Sequence, residues 1–302
     1  MQKKITLSRF IELYTAILII STSGALGRYI QLPPELTIFW RSVLATIFLY
    51  LLCRWKKFNL KIYSKADLAK IVLGGILFGA HWVTYFYALQ LSTVAIGMLS
   101  IYTYPVLTSF LEPFILKTKF RMYHFGLGVL VLIGIYFLVP DFSFDNRYTQ
   151  AVGFGVFSAL CYSLRNILMK PKIEKYNGFS LMFYQVFIIS ILLLPFLFVH
   201  GTPGLTENWV PLITLALFTT CVGHTLFLMS FRHFSITTAS IMSSMQPVFG
   251  IIIAIIFLKE YPSLITLVGG ALILSAVIIE GVVSYKTTNR HPKQDRLEEE
   301  QQ

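Results

Sequence analysis

Six polar side chains stand inside stretches that are otherwise almost wholly apolar: Arg41, His81, Tyr85, Tyr102, His224 and Gln246. Their types suit binding more than bond-making. A guanidinium presents a planar fork that matches a carboxylate bidentately, so Arg41 is a candidate anchor for an anionic group on a small-molecule substrate. The plainer alternative is an arginine that snorkels to the surface. His81 and Tyr85 are four residues apart and share one helix face, with Trp82 beside them. Histidine titrates near neutral pH, so His81 and His224 offer substrate contact or proton carriage, against the alternative of two neutral core histidines. Tyr102 and Gln246 bring a hydroxyl and an amide close to Pro105 and Pro247. Proline removes a backbone donor and frees an upstream carbonyl, so these two are read as kinks that shape a cavity. No catalytic set, metal ligand spacing or phosphate-binding glycine loop accompanies them, and no cofactor is expected. Glu112 with His124 is the nearest approach to an acid–base pair, too little for an enzyme site. Cys53, Cys161 and Cys221 are scattered and read as apolar fillers.

The elements that must position these residues are membrane helices. The chain is 56% hydrophobic with a mean hydropathy of +0.70, which excludes a soluble globule. Ten apolar stretches run over 10–30, 36–54, 67–90, 93–116, 121–140, 150–170, 179–199, 209–231, 236–258 and 263–285. Each is near the roughly 20 residues that cross a bilayer as a helix. The alternation of a membrane β-barrel is missing, and lipid leaves only helices otherwise. The expected fold is therefore an all-α integral membrane protein with ten transmembrane helices. The first stretch resembles a signal peptide, but removing it would break the order described below, so it is read as a retained span. The polar tail 286–302, with Glu298, Glu299 and Glu300, reads as disordered.

A net charge of +11 raises nucleic acid as a partner, but its distribution points to topology. If the amino terminus is cytoplasmic, 21 of the 25 basic residues, Arg165 among them, fall on cytoplasmic segments. The positive-inside rule then puts both termini in the cytoplasm of a cell inner-membrane protein. Arg28, Glu12 and Glu280 read as interfacial.

The second five stretches repeat the first five. At a shift of 142, Pro105 meets Pro247, Leu116-Lys117 meets Leu258-Lys259, Gly128 meets Gly270, and His81 falls within one residue of His224. Leu26-Gly27-Arg28 is matched with Ser163-Leu164-Arg165. Residues 1–140 and 148–285 thus form two five-helix repeats. An odd number of spans inserts the halves with opposite orientation, and such folds place a site near mid-membrane between them and expose it alternately. Gly74, Gly75, Gly79, Gly126, Gly128, Gly269 and Gly270 are read as places of close helix approach.

The stretch Ala88-Leu89-Gln90-Leu91-Ser92-Thr93, followed by Tyr104-Pro105-Val106 and Leu116-Lys117-Thr118, resembles the EamA family of the drug/metabolite transporter superfamily. The second copy is nearer: Ser235 to Ser240, Gln246-Pro247-Val248-Phe249-Gly250, then Leu258-Lys259-Glu260. Phe39-Trp40-Arg41-Ser42 is similar to the family's arginine-bearing second span. The resemblance covers residues 9–285 and implies export or exchange of small metabolites, often amino acids. The first copy departs from it, with Thr118 where the motif carries an acid, so that acid's role is supported only at Glu260. The function expected is a secondary transporter that exports a small polar metabolite, with proton coupling or none, as a monomer or homodimer in the lipid bilayer. A membrane-embedded enzyme and a non-transporting accessory subunit are the alternatives.

Overall fold

The computed structural model describes residues 7–117, 122–139, 143–201 and 204–288. Ten helices fill it: α1 Leu7–Tyr29, α2 Pro34–Trp55, α3 Lys65–Leu91, α4 Val94–Leu116, α5 Tyr123–Leu138, α6 Arg147–Lys175, α7 Gly178–His200, α8 Leu205–Ser230, α9 over 236–258 and α10 Leu264–Thr288. No strand occurs among the described residues. Eight helices are long and apolar enough to cross a bilayer; α5 and the apolar part of α10 are shorter. At 1.5 Å per residue the 16 residues of α5 rise about 24 Å, less than the roughly 30 Å hydrocarbon core. The helix α10 continues to Thr288, past the expected start of the tail; residues 289–302, like Thr118, lie outside the described residues.

The repeat is legible in the backbone itself. Thr93 caps α4 by accepting from Ile96 N at 3.3 Å, and Ser235, 142 residues on, caps α9 by accepting from Thr238 N at 3.0 Å. Each side-chain oxygen takes up one of the unpaired N–H groups of a helix start. Both helices then break midway. In α4 the break is at Tyr102–Thr103, before Tyr104–Leu116; in α9 it is at Ser243–Ser244, before Met245–Leu258. Both stop at a left-handed lysine, Lys117 at φ 56° and Lys259 at φ 57°. Such a φ is uncommon outside glycine, so its use at matched positions marks one structural unit used twice.

Packing is reciprocal between the halves. In one direction α1 packs on α8 and α9; in the other α6 packs on α3 and α4. The pairs α2 with α7 and α5 with α10 complete the set, each helix meeting its own counterpart. This is the pattern a two-fold between inverted five-helix repeats produces. Side chains turned outward are apolar: on α5, Phe125, Val129, Leu132 and Tyr136 recur at helical spacing on one exposed face. A face of that kind belongs against lipid.

Close approaches rest on several of the expected glycines. A Cβ on Gly269 would lie 2.7 Å from the Gly134 carbonyl oxygen, so α10 meets α5 backbone to backbone. Gly74, Gly75 and Gly79 of α3 take Met169 of α6 and Ile188 and Ile189 of α7. Gly126 is an exception, with nothing within 4 Å of the added atom.

The two ends of the bundle are held differently. At one, Asp67 accepts from Lys172 Nζ, from Lys175 Nζ at 2.5 Å and from the Tyr176 hydroxyl at 2.6 Å, tying α3 to α6. At the other, Glu260 accepts from Arg28 Nε at 2.7 Å and from Val94 N at 2.9 Å, while Arg28 Nη1 donates to the Gln90 carbonyl at 3.3 Å. Arg28 is thus an ion-pair partner and not merely an interfacial charge.

Three assignments from sequence need correction. Arg165 is not on a cytoplasmic segment but fully buried in the middle of α6. Its proposed equivalence with Arg28 fails for the same reason; the residue 142 beyond Arg28 is Lys170, near the end of α6. Glu280 is buried, not interfacial, with its carboxylate 3.5 Å from His124 Nε2 and accepting from the Tyr123 hydroxyl at 3.3 Å across the α5–α10 contact. Burying a carboxylate is costly unless it is paired, and these two groups are its partners.

Candidate functional site

A small cavity of about 30 Å3, room for roughly one water, lies at the centre of the bundle. Arg41, His81, Tyr85, Tyr102, His224 and Gln246 all line it. They come from α2, α3, α4, α8 and α9, so both halves contribute. Ser23, Trp82, Tyr104 and Tyr162 join them, and no lining residue is acidic.

Arg41 does not reach the surface; it is 1% exposed. Its Nε donates to Thr220 Oγ1 at 2.7 Å and its Nη2 to Thr219 Oγ1 at 2.9 Å, and its guanidinium lies 3.8 Å from the centre of the Trp82 ring. Both threonines stand on a stretch of α8, Leu215–His224, wound as a π-helix. The wider turn brings two successive hydroxyls and His224 to the same side, and π-turns recur at functional sites. An arginine at the bilayer centre costs about 2.5–3.5 kcal/mol on insertion scales. A desolvated cation–π contact offsets about 2 kcal/mol, and the two hydroxyls add to it. No acid pairs with Arg41 among the described residues.

His81 has a defined tautomer. Ser158 Oγ gives its one proton to the His81 carbonyl at 2.8 Å, so the 2.8 Å contact between Ser158 Oγ and His81 Nδ1 must have the imidazole as donor. The Nε2 atom is left free of that bond. The ring stacks on Tyr162 with centroids 4.4 Å apart and on Tyr85 at 6.2 Å. His224 faces Phe78 at 5.3 Å and Trp82 at 5.4 Å, so the two histidines flank one aromatic cluster.

The helix breaks meet at this centre. The Tyr104 hydroxyl is hydrogen-bonded to Ser243 Oγ, which joins the break of α4 to that of α9. Pro105 and Pro247 do not bend continuous helices. They sit in the first turn of each second segment, just after the break, where a missing N–H costs nothing. Tyr102 caps the first segment of α4, and Gln246 lies in the first turn after the break of α9.

A larger cavity of about 840 Å3 opens at the Glu260 end, lined by Arg28, Gln31, Glu207, Asn208 and Glu260 among others. Ser23 lines the central cavity and Arg28 the vestibule. Five residues of α1, about 7.5 Å of rise, separate them. The Arg28–Glu260–Val94 contacts therefore stand at the floor of the vestibule.

Sequence reasoning missed Arg165. It is fully buried, with Nε on Gln185 Oε1 at 2.7 Å, Nη1 on Asn166 Oδ1 at 2.9 Å and its guanidinium 4.2 Å from the Phe78 ring centre. Its proximity to Lys170 and Lys172 hides it among topological charges. The signal available was its place on a long apolar stretch, eleven residues before the Tyr176 that ends α6.

The profile of the EamA-like transporter family matches residues 10–139 and 149–280. An uncharacterised transporter of Bacillus subtilis, YxxF, is 23% identical over 89% of this chain and 88% of its own length. The pseudopaline exporter CntI of Pseudomonas aeruginosa is 22% identical over 82% of this chain and 86% of its own. An S-adenosylmethionine uptake transporter of Rickettsia felis is 28% identical, but over only 38% of this chain and 39% of its own length. A solved crystal structure superposes with a TM-score of 0.69 at 15% identity, covering 93% of this chain and 98% of that one; it speaks to the fold. The chain belongs to the EamA-like transporter family.

Proposed function

We propose that this member of the EamA-like transporter family exports a small polar metabolite, an amino acid or a related compound, by alternating access around the central cavity. The observation that carries the reading is the convergence of Arg41, His81, Tyr85, Tyr102, His224 and Gln246, drawn from both halves, on one small central cavity. Arg41 supplies an anion anchor already held in place by Thr219 and Thr220. The relatives include an exporter, similar over most of both chains, and an uptake transporter, similar over less than half of each, which favours export.

With Arg165 buried in the middle of α6, 13 of the 18 basic residues among the described residues lie at the Asp67 end of the bundle. The positive-inside rule assigns that end and both termini to the cytoplasm, and the vestibule to the far side of a cell inner membrane. Rocking one half about the two helix breaks would open the cavity to either side in turn. Energy comes from the solute gradient or from protons.

The test is efflux of mixed amino acids from loaded cells that express the chain, beside an Arg41→Ala variant at equal membrane abundance. Selective efflux of a carboxylate-bearing solute, lost in the variant, is the expected result. Efflux that survives Arg41→Ala removes Arg41 from the site; no efflux of any loaded amino acid refutes an amino-acid cargo and sends the assay to other polar solutes and to uptake.

A further inference from the structure

Beside the cavity lies a second buried cation that this reading leaves without a task. Arg165 has an Nη2 atom that is buried and makes no hydrogen bond, and so have three neighbours: Asn166 Nδ2, Trp82 Nε1 and His224 Nδ1. They form one cluster. Arg165 stacks on Phe78, whose ring is 4.1 Å from Trp82 and 5.3 Å from His224, and Trp82 in turn carries Arg41 on its face. Three of the four unpaired atoms can only donate. Buried donors without acceptors are rare in native interiors, and a charged side chain inside a membrane ordinarily has a partner. Neither Arg41 nor Arg165 has an acidic partner among the described residues.

Two cations and a set of idle donors, with no acid paired to either cation among the described residues, make a site that lacks its acceptors. Hydroxyl and amide oxygens take up part of the N–H edge of each guanidinium, aromatic rings cover a face of each, and Arg165 keeps Nη2 for a further partner. We propose that Arg165 with Asn166 is a second anion subsite, and that the solute carried is a dianion, one acidic group on Arg41 and the other on Arg165. A dicarboxylate, or a molecule with two carboxylate-like groups, has that form; a cationic solute would meet two fixed like charges. In the closed state the Phe78 ring covers Arg165, so the second acid engages when that side chain rotates aside. The inference deepens the export reading and rests on it.

The experiment compares the medium of cells that express the full chain with that of vector controls by untargeted mass spectrometry, in wild type, Arg165→Gln and Arg165→Lys, with membrane abundance measured for each. The expected result is an enriched solute with two acidic groups whose export falls about 10–100-fold in Arg165→Gln, the loss of one charged hydrogen bond. Arg165→Lys, a charge without the fork, is expected to raise the half-saturation concentration with an unchanged maximal rate. If Arg165→Gln does not reach the membrane, that value in Arg165→Lys decides, and an unaltered one overturns the proposal. An enriched solute with one acidic group or none, or a two-acid solute indifferent to Arg165, overturns it too and leaves export standing. No enriched solute at all refutes export itself, and the inference with it.

Discussion

Replacing Glu260 with glutamine should open the vestibule floor. Glu260 holds three elements together: one oxygen takes Arg28 Nε of α1 at 2.7 Å, the other takes Val94 N at the start of α4 at 2.9 Å, and Glu260 itself follows α9. The pair is partly exposed, 34% for Arg28 and 21% for Glu260, so its ionic part is worth no more than the roughly 0.2–1 kcal/mol of surface pairs. A carboxylate on the first N–H of a helix adds about 0.3–1 kcal/mol. Glutamine keeps one acceptor and loses the charge, which removes about 1–2 kcal/mol from the closed arrangement. That corresponds to a factor of roughly 5–30 in the closed-to-open ratio. The assay is the rate at which a membrane-impermeant maleimide labels Ser23→Cys, a cavity position five residues below Arg28, in a background whose three native cysteines are alanine. Labelling from the vestibule side should accelerate by that factor in Glu260→Gln and again in Arg28→Gln. The double variant should fall well short of the product of the two, because both changes release one contact. An unchanged rate in Glu260→Gln, or full multiplicativity of the two, would refute the view that they form a single lock.

Gly269→Val should separate α10 from α5, since the Gly134 carbonyl is backbone and cannot step aside; a loss of about 1–3 kcal/mol in thermal or denaturant stability is expected. Gly126→Ala, where the added atom meets nothing, should leave the same measurement unchanged or slightly improved. Asp67→Asn should lower the melting temperature at unaltered expression, because two lysines and a tyrosine lose their shared acceptor; a variant as stable as wild type would show that α3 and α6 are held by their apolar contact alone. Thr219→Ala with Thr220→Ala should leave Arg41 buried but unoriented. Losing two hydrogen bonds to a charged group predicts at least about tenfold weaker apparent affinity for the transported solute, read from concentration-dependent efflux.

Some features could be read before any coordinates because they are written in local chemistry. Apolar length fixes a membrane helix, and matched motifs such as Thr93 with Ser235 or Lys117 with Lys259 fix the repeat, since each is a cap or a stop that a helix needs at that place. The convergence of Arg41, His81, Tyr85, Tyr102, His224 and Gln246 was likewise legible, because polar side chains in a bilayer are expensive and turn inward. Arg165 escaped because charge counting cannot tell an arginine at a helix end from one a few residues deeper. Glu280 escaped because its partner His124 is distant in sequence. The π-turn at Leu215–His224 has no pattern of its own: the i+5 hydrogen bonds follow from the fit of α8 against α1 and α2, which no single helix encodes.

The two ends show where an inverted repeat ceases to be symmetric. A shift of 142 carries Arg28 to Lys170 and Gln90 to Arg232, and the geometry follows in part. Arg28 donates to the Gln90 carbonyl at the end of α3, and Lys170 Nζ to the Phe231 and Phe234 carbonyls just after α8, at 3.2 Å in the second case. Each cation thus tethers α1 or α6 to the loop that precedes a broken helix. The acid is the part that is not repeated. Glu260 adds a carboxylate and an N–H contact at its end, whereas the sequence has Thr118 in the corresponding place. Equal halves would give two states of similar free energy. The Glu260 lock lowers the state closed at its end by the roughly 1–2 kcal/mol argued above, while Asp67, with Trp209 at the shifted position, ties α3 to α6 at the opposite end, so the resting preference is the difference between these two unrepeated contacts. A bound solute must then supply at least the net difference in differential affinity to reverse the preference, and the Arg41 guanidinium in the cavity wall is the group placed to provide it.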